Sequence, residues 1–192
     1  MKPAKSSLFN MTAALLAVSV CSAAAIGYVH QITEEPIAVA KKQKTLKAIR
    51  DMVGAFDNNP FDEKTLLSDG QTELYPAREN GIITSVAVKS QSNNGFGGKI
   101  ELIAGILTDG TLVGYKIIEQ NETPGLGTKV TEHKFSSQFE GMDTHSGNFD
   151  LRKDGGEIDA VTGATISSRA VVEAVKKAVS AYNKFSGASD NE

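Results

Sequence analysis

Apolar residues divide this chain into distinct regimes. From Leu8 to Val29 they are nearly continuous, inside a stretch from Ser6 to Thr33 that contains no Asp, Glu, Lys or Arg. A run of that length predicts a helix able to cross a bilayer. Further on, Leu46, Ile49, Val53 and Phe56 recur at helical spacing between Lys41, Lys42, Lys44, Lys47 and Arg50. They predict an amphipathic spacer helix, started by Pro36 in its first turn and broken at Asn58, Asn59 and Pro60. From about Ile82 the period shortens to that of strands. Ile82, Ile83, Val86 and Val88 form a β-rich run, and Ser90 to Gly98 reads as a polar, Gly-rich loop. Ile100, Leu102, Ala104 and Ile106 then alternate with Lys99, Glu101, Ile103 and Gly105. Asp109-Gly110 predicts a two-residue hairpin turn into a return strand carrying Leu112, Val113, Tyr115, Ile117 and Ile118.

The helical period returns near the C-terminus. Val171, Val172, Val175, Val179 and Tyr182 share one face of a helix over about 168–182, with Ser167 or Ser168 as its N-cap. The fold class expected is α+β: a single N-terminal transmembrane helix, then one domain with an antiparallel β-sheet and flanking helices. The divisions are 1–7 for the N-terminus, 8–30 for the membrane helix, 31–60 for the spacer helix and linker, 61–186 for the domain and 187–192 for a polar tail.

Lys2 and Lys5 precede the apolar run and Glu34 and Glu35 follow it. That asymmetry puts the N-terminus in the cytoplasm and the bulk of the chain outside. A retained anchor is the first reading. A cleaved signal peptide is the second, with Ala23, Ala24 and Ala25 as the small-residue site. A lipoprotein signal ending at Cys21 is disfavoured by bulky Val20. All three export the domain. Cys21 is the single cysteine, so the exported part has no disulfide and depends on its core.

A formal net charge of −3 gives no electrostatic case for nucleic-acid binding. His30, His133 and His145 are dispersed, so no metal-ligand spacing is expected, and no Ser/His/Asp catalytic set can be assembled. Gly95-Phe96-Gly97-Gly98-Lys99 and Gly125-Leu126-Gly127-Thr128-Lys129 match neither nucleotide-binding glycine pattern. Phe135, Phe139 and Phe149 read as core anchors.

Two short segments carry candidate chemistry. The first is Asp159-Ala160-Val161-Thr162-Gly163-Ala164-Thr165-Ile166-Ser167. Gly163 permits a tight or left-handed backbone, and Ala164 leaves Thr165 approachable by a second protein. Thr165 stands at the start of the C-terminal helix, where a phosphate would meet free N–H groups and the positive end of the dipole. An ordinary turn capped by Thr and Ser would use the same residues. The second segment is Glu122-Thr123-Pro124-Gly125-Leu126-Gly127. A stiff proline and two glycines around a leucine allow backbone to approach a flat ligand, though a simple turn would also contain them.

In this order and spacing, the two segments resemble those of the FMN-binding domain in the G subunit of the Rnf electron transport complex. That domain is similar to the one in the C subunit of the sodium-translocating NADH:quinone oxidoreductase. The resemblance covers essentially the whole chain, including the Gly95–Gly98 segment. It implies a membrane-anchored electron-transfer subunit without stand-alone catalysis. FMN would be joined covalently to Thr165 through a phosphodiester, making the chain a phosphoprotein, by a separate flavin transferase that uses FAD. Thr162, Gly163 and Ala164 would flank the attachment, Asp159 and Ser167 would serve transferase recognition, and Glu122, Thr123, Pro124, Gly125, Leu126 and Gly127 would line the flavin. Thr162 stands where serine is common. The partners implied are other membrane subunits of an ion-translocating ferredoxin:NAD oxidoreductase in the bacterial inner membrane, with the flavin domain on the periplasmic side. Alternatives are a component like the C subunit of the quinone oxidoreductase, an exported FMN domain of an extracellular reductase, and a non-redox exported module.

Overall fold

The computed structural model describes residues 8–189. The expected cytoplasmic residues 1–7, with Lys2 and Lys5, lie outside them, as do residues 190–192 of the expected tail. The chain forms two compact units that divide between Gln43 and Lys44.

The first unit consists of the greater part of one helix, α1 (Leu8–Val53). Its most apolar window has a mean hydropathy of 1.9 and no buried residue, so α1 is long and apolar enough to cross a membrane. The Thr12 hydroxyl donates to the Leu8 carbonyl (2.9 Å), which satisfies it without water. Pro36 does not start a helix: it lies inside α1, where its missing N–H costs one intrahelical bond.

The second unit is built on a five-stranded antiparallel meander. Its strands are β1 (Thr65–Leu66), β2 (Glu73–Glu79), β3 (Ile82–Gly95), β4 (Gly98–Leu107) and β5 (Leu112–Gln120). A short helix α2 (His133–Ser136) and a long helix α3 (Thr165–Ser189) follow. α3 therefore includes part of the segment expected to be a tail.

The alternation along β4 sorts the sheet into two faces. Ile100, Leu102, Ala104 and Ile106 join Leu74, Val86 and Val88 under α3, whose Val171, Val172, Val175, Val179 and Tyr182 are all buried there. Phe135, Phe139 and Phe149 close that core, with Phe139 edge-on to both Tyr115 and Phe135. On the opposite face, Ile103, Ala87, Tyr75 and Ile118 pack against Ala48 and Ile49 from the last turns of α1. Gly105 makes this approach feasible, because a Cβ there would lie 2.6 Å from the Met52 carbonyl oxygen. Beyond α1 the same face carries an ion-pair ladder across the strands, from Glu73 through Lys89, Glu101 and Lys99 to Glu119.

Two local expectations are corrected. The segment Ser90–Gly98 is not a loop: β3 continues to Gly95, pairs with Gly98, and leaves only Phe96 and Gly97 as the turn. It continues because the polar side chains on its inner face find partners on α3. The Ser90 hydroxyl donates to the Ala174 carbonyl (2.7 Å) and Ser92 donates to Glu173 Oε2 (2.8 Å). The Asp109-Gly110 turn has three residues, not two. Gly110 N–H donates to Leu107 O (3.0 Å), Leu107 N–H donates to Thr111 O (2.9 Å), and Gly110 takes the left-handed conformation. A two-residue turn with both residues at positive φ lies at Asn80-Gly81, between β2 and β3. Pro76 hides β2 from a pattern reading. Asn58 completes its edge: its side chain donates to Pro76 O (3.0 Å) and accepts from Arg78 N–H (3.0 Å).

Candidate functional site

The segment 159–168 reaches α3 through a closed turn. Ala164 N–H donates to Val161 O (3.0 Å), and Gly163 takes a positive φ of 79°. The buried Ser168 hydroxyl accepts from Val161 N–H (3.0 Å) and donates to Ala164 O (2.9 Å), tying both ends of the turn. α3 begins at Thr165, so Ser167 and Ser168 lie within its first turn rather than capping it. The first α-helical bond is Ser168 N–H to Ala164 O (3.0 Å). The N–H groups of Thr165, Ile166 and Ser167 thus precede the intrahelical ladder, and Thr165, half-buried, stands at the positive end of the helix.

The loop 122–127 reaches the same place from the end of β5. Leu126 N–H donates to Thr123 O (3.2 Å), forming a turn with Gly125 at positive φ, and Gly125 N–H donates to Thr128 Oγ1 (3.0 Å). Glu122 is buried. Its Oε1 accepts from Gly97 N–H (3.1 Å) and its Oε2 accepts from the Ser167 hydroxyl (2.5 Å). One carboxylate therefore ties the β3–β4 turn, its own loop and the first turn of α3. Gly127 leaves room for it: a Cβ there would stand 2.5 Å from Glu122 Oε2 and 2.8 Å from Ser167 Oγ.

A cleft of about 360 Å³ opens between these segments, lined by Phe96, Glu122, Thr123, Leu126, Gly127 and the whole run Gly163–Ser167. Its rim is apolar: Phe96, Leu126 and Ile166 are 71%, 48% and 50% exposed. Pro124, Gly125, Asp159 and Thr162 are not among its lining residues. Asp159 and Thr162 instead line a neighbouring cleft of about 470 Å³ with Lys129, Lys134, Phe135 and Gln138. There Arg152 grips Asp159 through Nε to Oδ1 (2.7 Å) and Nη2 to Oδ2 (3.3 Å), holding the exposed Asp159 carboxyl below its ordinary range. Gln138 accepts from Asp159 N–H (2.7 Å) and donates to Asp159 O (3.2 Å).

Several of these residues escape sequence reading. Phe96 was visible only as part of a glycine-rich run. Arg152 and Gln138 act at a distance in sequence and carry no local signal. Lys129 and Arg169, adjacent in sequence to the two motifs, do not line the cleft that holds Thr165. Arg169 pairs instead with Asp154 (2.8 Å) in a larger cleft of about 550 Å³ along α3, where Lys176 pairs with Asp150 and Lys177 with Glu173. Among the described residues, no three His, Cys, Asp or Glu side chains converge as for a metal ion.

The 360 Å³ cleft has the size of a small-molecule site, roughly 300–1,000 Å³. It combines apolar walls, exposed backbone at Gly163, and a hydroxyl at a helix N-terminus. Those features fit a flat ring carrying a phosphate tail, and thus the FMN expected from the sequence.

Comparison with known proteins agrees. Residues 95–180 match the family model for the FMN-binding domain. The chain is 36% identical, over 88% of its length and 86% of the relative's, to the G subunit of the ion-translocating oxidoreductase complex of Vibrio vulnificus (strain YJ016). It is 32% identical, over 80% of its length and 78% of the relative's, to the protein of the same name from Pseudomonas aeruginosa (strain UCBPP-PA14). Among solved structures, the C subunit of the Na(+)-translocating NADH-quinone reductase from Parabacteroides distasonis shares the fold. Its TM-score is 0.51 at 22% identity, over 67% of this chain and 68% of that one.

Proposed function

The chain belongs to the family of G subunits of the ion-translocating oxidoreductase complex, and we propose that it carries FMN as a phosphodiester on Thr165. It is an FMN-binding electron-transfer subunit of such a complex, with an N-terminal helix able to anchor it in the membrane. The observation that carries the covalent reading is the convergence of both motifs on one cleft, with Thr165 at the first position of α3.

The Thr165 hydroxyl oxygen forms a bond to the flavin-side phosphorus of FAD, the bond to AMP breaks, and the hydroxyl proton leaves with a base of the transferase. A threonine hydroxyl is too weak a nucleophile to do this unaided, so a separate flavin transferase is a required partner. The product phosphodiester bears one negative charge beside the free N–H groups of the first turn. Asp159, exposed and pinned by Arg152 and Gln138, is the contact such a transferase would read. The bound group supplies reversible electron transfer, and Phe96, Leu126 and the loop backbone would orient it. Pro124 and Gly125 shape that loop, and Thr162, Gly163 and Ala164 present the acceptor. The flavin domain would face the periplasm, contacting other membrane subunits of the complex.

The test is the intact mass of the chain produced with an active flavin transferase, with in-gel flavin fluorescence after denaturation. An added mass of one FMN residue on the peptide holding Thr165, absent from Thr165→Val, is the expected result. Denaturation-resistant flavin in Thr165→Val would reassign the attachment.

A further inference from the structure

Glu122 is the only ionisable residue among those lining the Thr165 cleft. It is 5% exposed. Both of its oxygens accept hydrogen bonds from neutral donors, Gly97 N–H (3.1 Å) and the Ser167 hydroxyl (2.5 Å). Neither donor brings a positive charge, and no Lys or Arg lines the cleft. The carboxylate is also fixed in place. A Cβ at Gly127 would lie 2.5 Å from Glu122 Oε2, and one at Gly95 would lie 2.5 Å from Oε1. The cleft therefore presents one immobile carboxyl group, buried from bulk water, with no Lys or Arg among the residues that line it.

We propose that Glu122 is a potential-setting residue, whose fixed negative charge makes the flavin in this cleft harder to reduce. The inference rests on the proposed occupancy of the cleft by FMN. Reduction by one electron, or by two electrons and one proton, leaves the ring one unit more negative. The electrons come from a reduced partner protein and the proton from water. A buried negative charge in a medium of low dielectric opposes that added charge far more than an exposed one would. The contact with Ser167 serves the same end: it stabilises the carboxylate without neutralising it, and leaves the Ser167 hydroxyl turned inward, away from any protein that docks on the surface.

The experiment is a dye-equilibrated redox titration of the full chain in detergent, after loading by a flavin transferase, for wild type, Glu122→Gln and Glu122→Asp. Glu122→Gln keeps the shape and removes the charge; its amide oxygen can accept from Gly97 N–H while its NH2 donates to a Ser167 hydroxyl turned to accept, so its midpoint potential shifts to more positive values. Glu122→Asp keeps the charge, so its potential stays near wild type. An unchanged or more negative potential in Glu122→Gln overturns the proposal, as does an equal positive shift in both variants, which would reflect lost packing. A folded Glu122→Gln that takes up no flavin also overturns it, because Glu122 would then act in attachment. Failure of the wild type to take up flavin is a separate outcome and strikes the proposed function itself.

Discussion

The Ser167 hydroxyl donates to Glu122 Oε2 at 2.5 Å, across 45 residues of sequence. This one bond joins the two motifs that the sequence marks out. It is buried on both sides, so it acts on the position of α3 relative to the loop and not on the solvent-facing surface.

Gly127 is the position most sensitive to that junction. A methyl group there meets Glu122 Oε2 at 2.5 Å and Glu122 Cβ at 2.8 Å. Gly127→Ala is expected to destabilise the domain by ~1–3 kcal/mol through overpacking and to change the absorbance spectrum of the loaded protein. Gly125→Ala meets open space and suffers only its positive φ, at about 1–2 kcal/mol. Urea unfolding and the flavin spectrum read the two effects. A wild-type spectrum in Gly127→Ala would contradict the contact.

Arg152 and Asp159 form an exposed pair, so its removal has little effect on the fold. Arg152→Ala is expected to leave the melting temperature within about 1 °C of wild type. The same variant slows loading by a transferase, because Asp159 loses its fixed orientation. Loading at the wild-type rate in both Arg152→Ala and Asp159→Asn would exclude this corner from recognition.

Ser90 tests the inner face of β3. Its hydroxyl is fully buried and donates to the Ala174 carbonyl of α3 (2.7 Å). Ser90→Ala is expected to cost about 1 kcal/mol in urea unfolding, with flavin loading intact. A neutral effect would show that the hydroxyl contributes nothing net to the packing of α3 on the sheet.

Glu173, on the same helix, gives a pH dependence. Burial pushes its carboxyl up, but hydrogen bonds from Lys177, Asn94 and Ser92 outweigh it and hold the group below its ordinary value. A lowered folded value means stability that is present above the ordinary carboxylate range and lost as pH falls through the folded one. As pH drops from about 5 to 3, the melting temperature of wild type should fall more steeply than that of Glu173→Gln. Parallel curves would rule this group out.

Ile49 tests the other face of the sheet. It is fully buried against Tyr75, Ala87 and Ile103, although it belongs to the helix that begins with the apolar run. Ile49→Ala is expected to cost ~2–5 kcal/mol in thermal or urea unfolding of the full chain. A loss near zero would detach the end of α1 from the domain core.

The elements legible in sequence were those whose period repeats without interruption. β4 places Ile100, Leu102, Ala104 and Ile106 at every second position, and α3 repeats Val171, Val175, Val179 and Tyr182 on one side, so each stated the face it turns to the main core. β2 was missed because Pro76 reads as a strand breaker and because its edge is completed by the distant Asn58. The outer half of β3 was missed because its inward residues are Ser90 and Ser92. Polar side chains in a core are intelligible only once their acceptors on α3 are known.

The sequence by itself determined the apolar run, the two faces of the central hairpin, and the two motifs with Thr165 between a glycine turn and a helix. These are local properties, written in spacing and residue type within a few turns of chain. The tertiary structure alone decided that the motifs share a cleft, that Phe96 stands at its rim, and that Glu122 is buried there with no Lys or Arg among the lining residues. Those facts depend on which strands pair and how α3 crosses the sheet. Such long-range contacts are set by burial summed over the whole domain, which no single segment encodes.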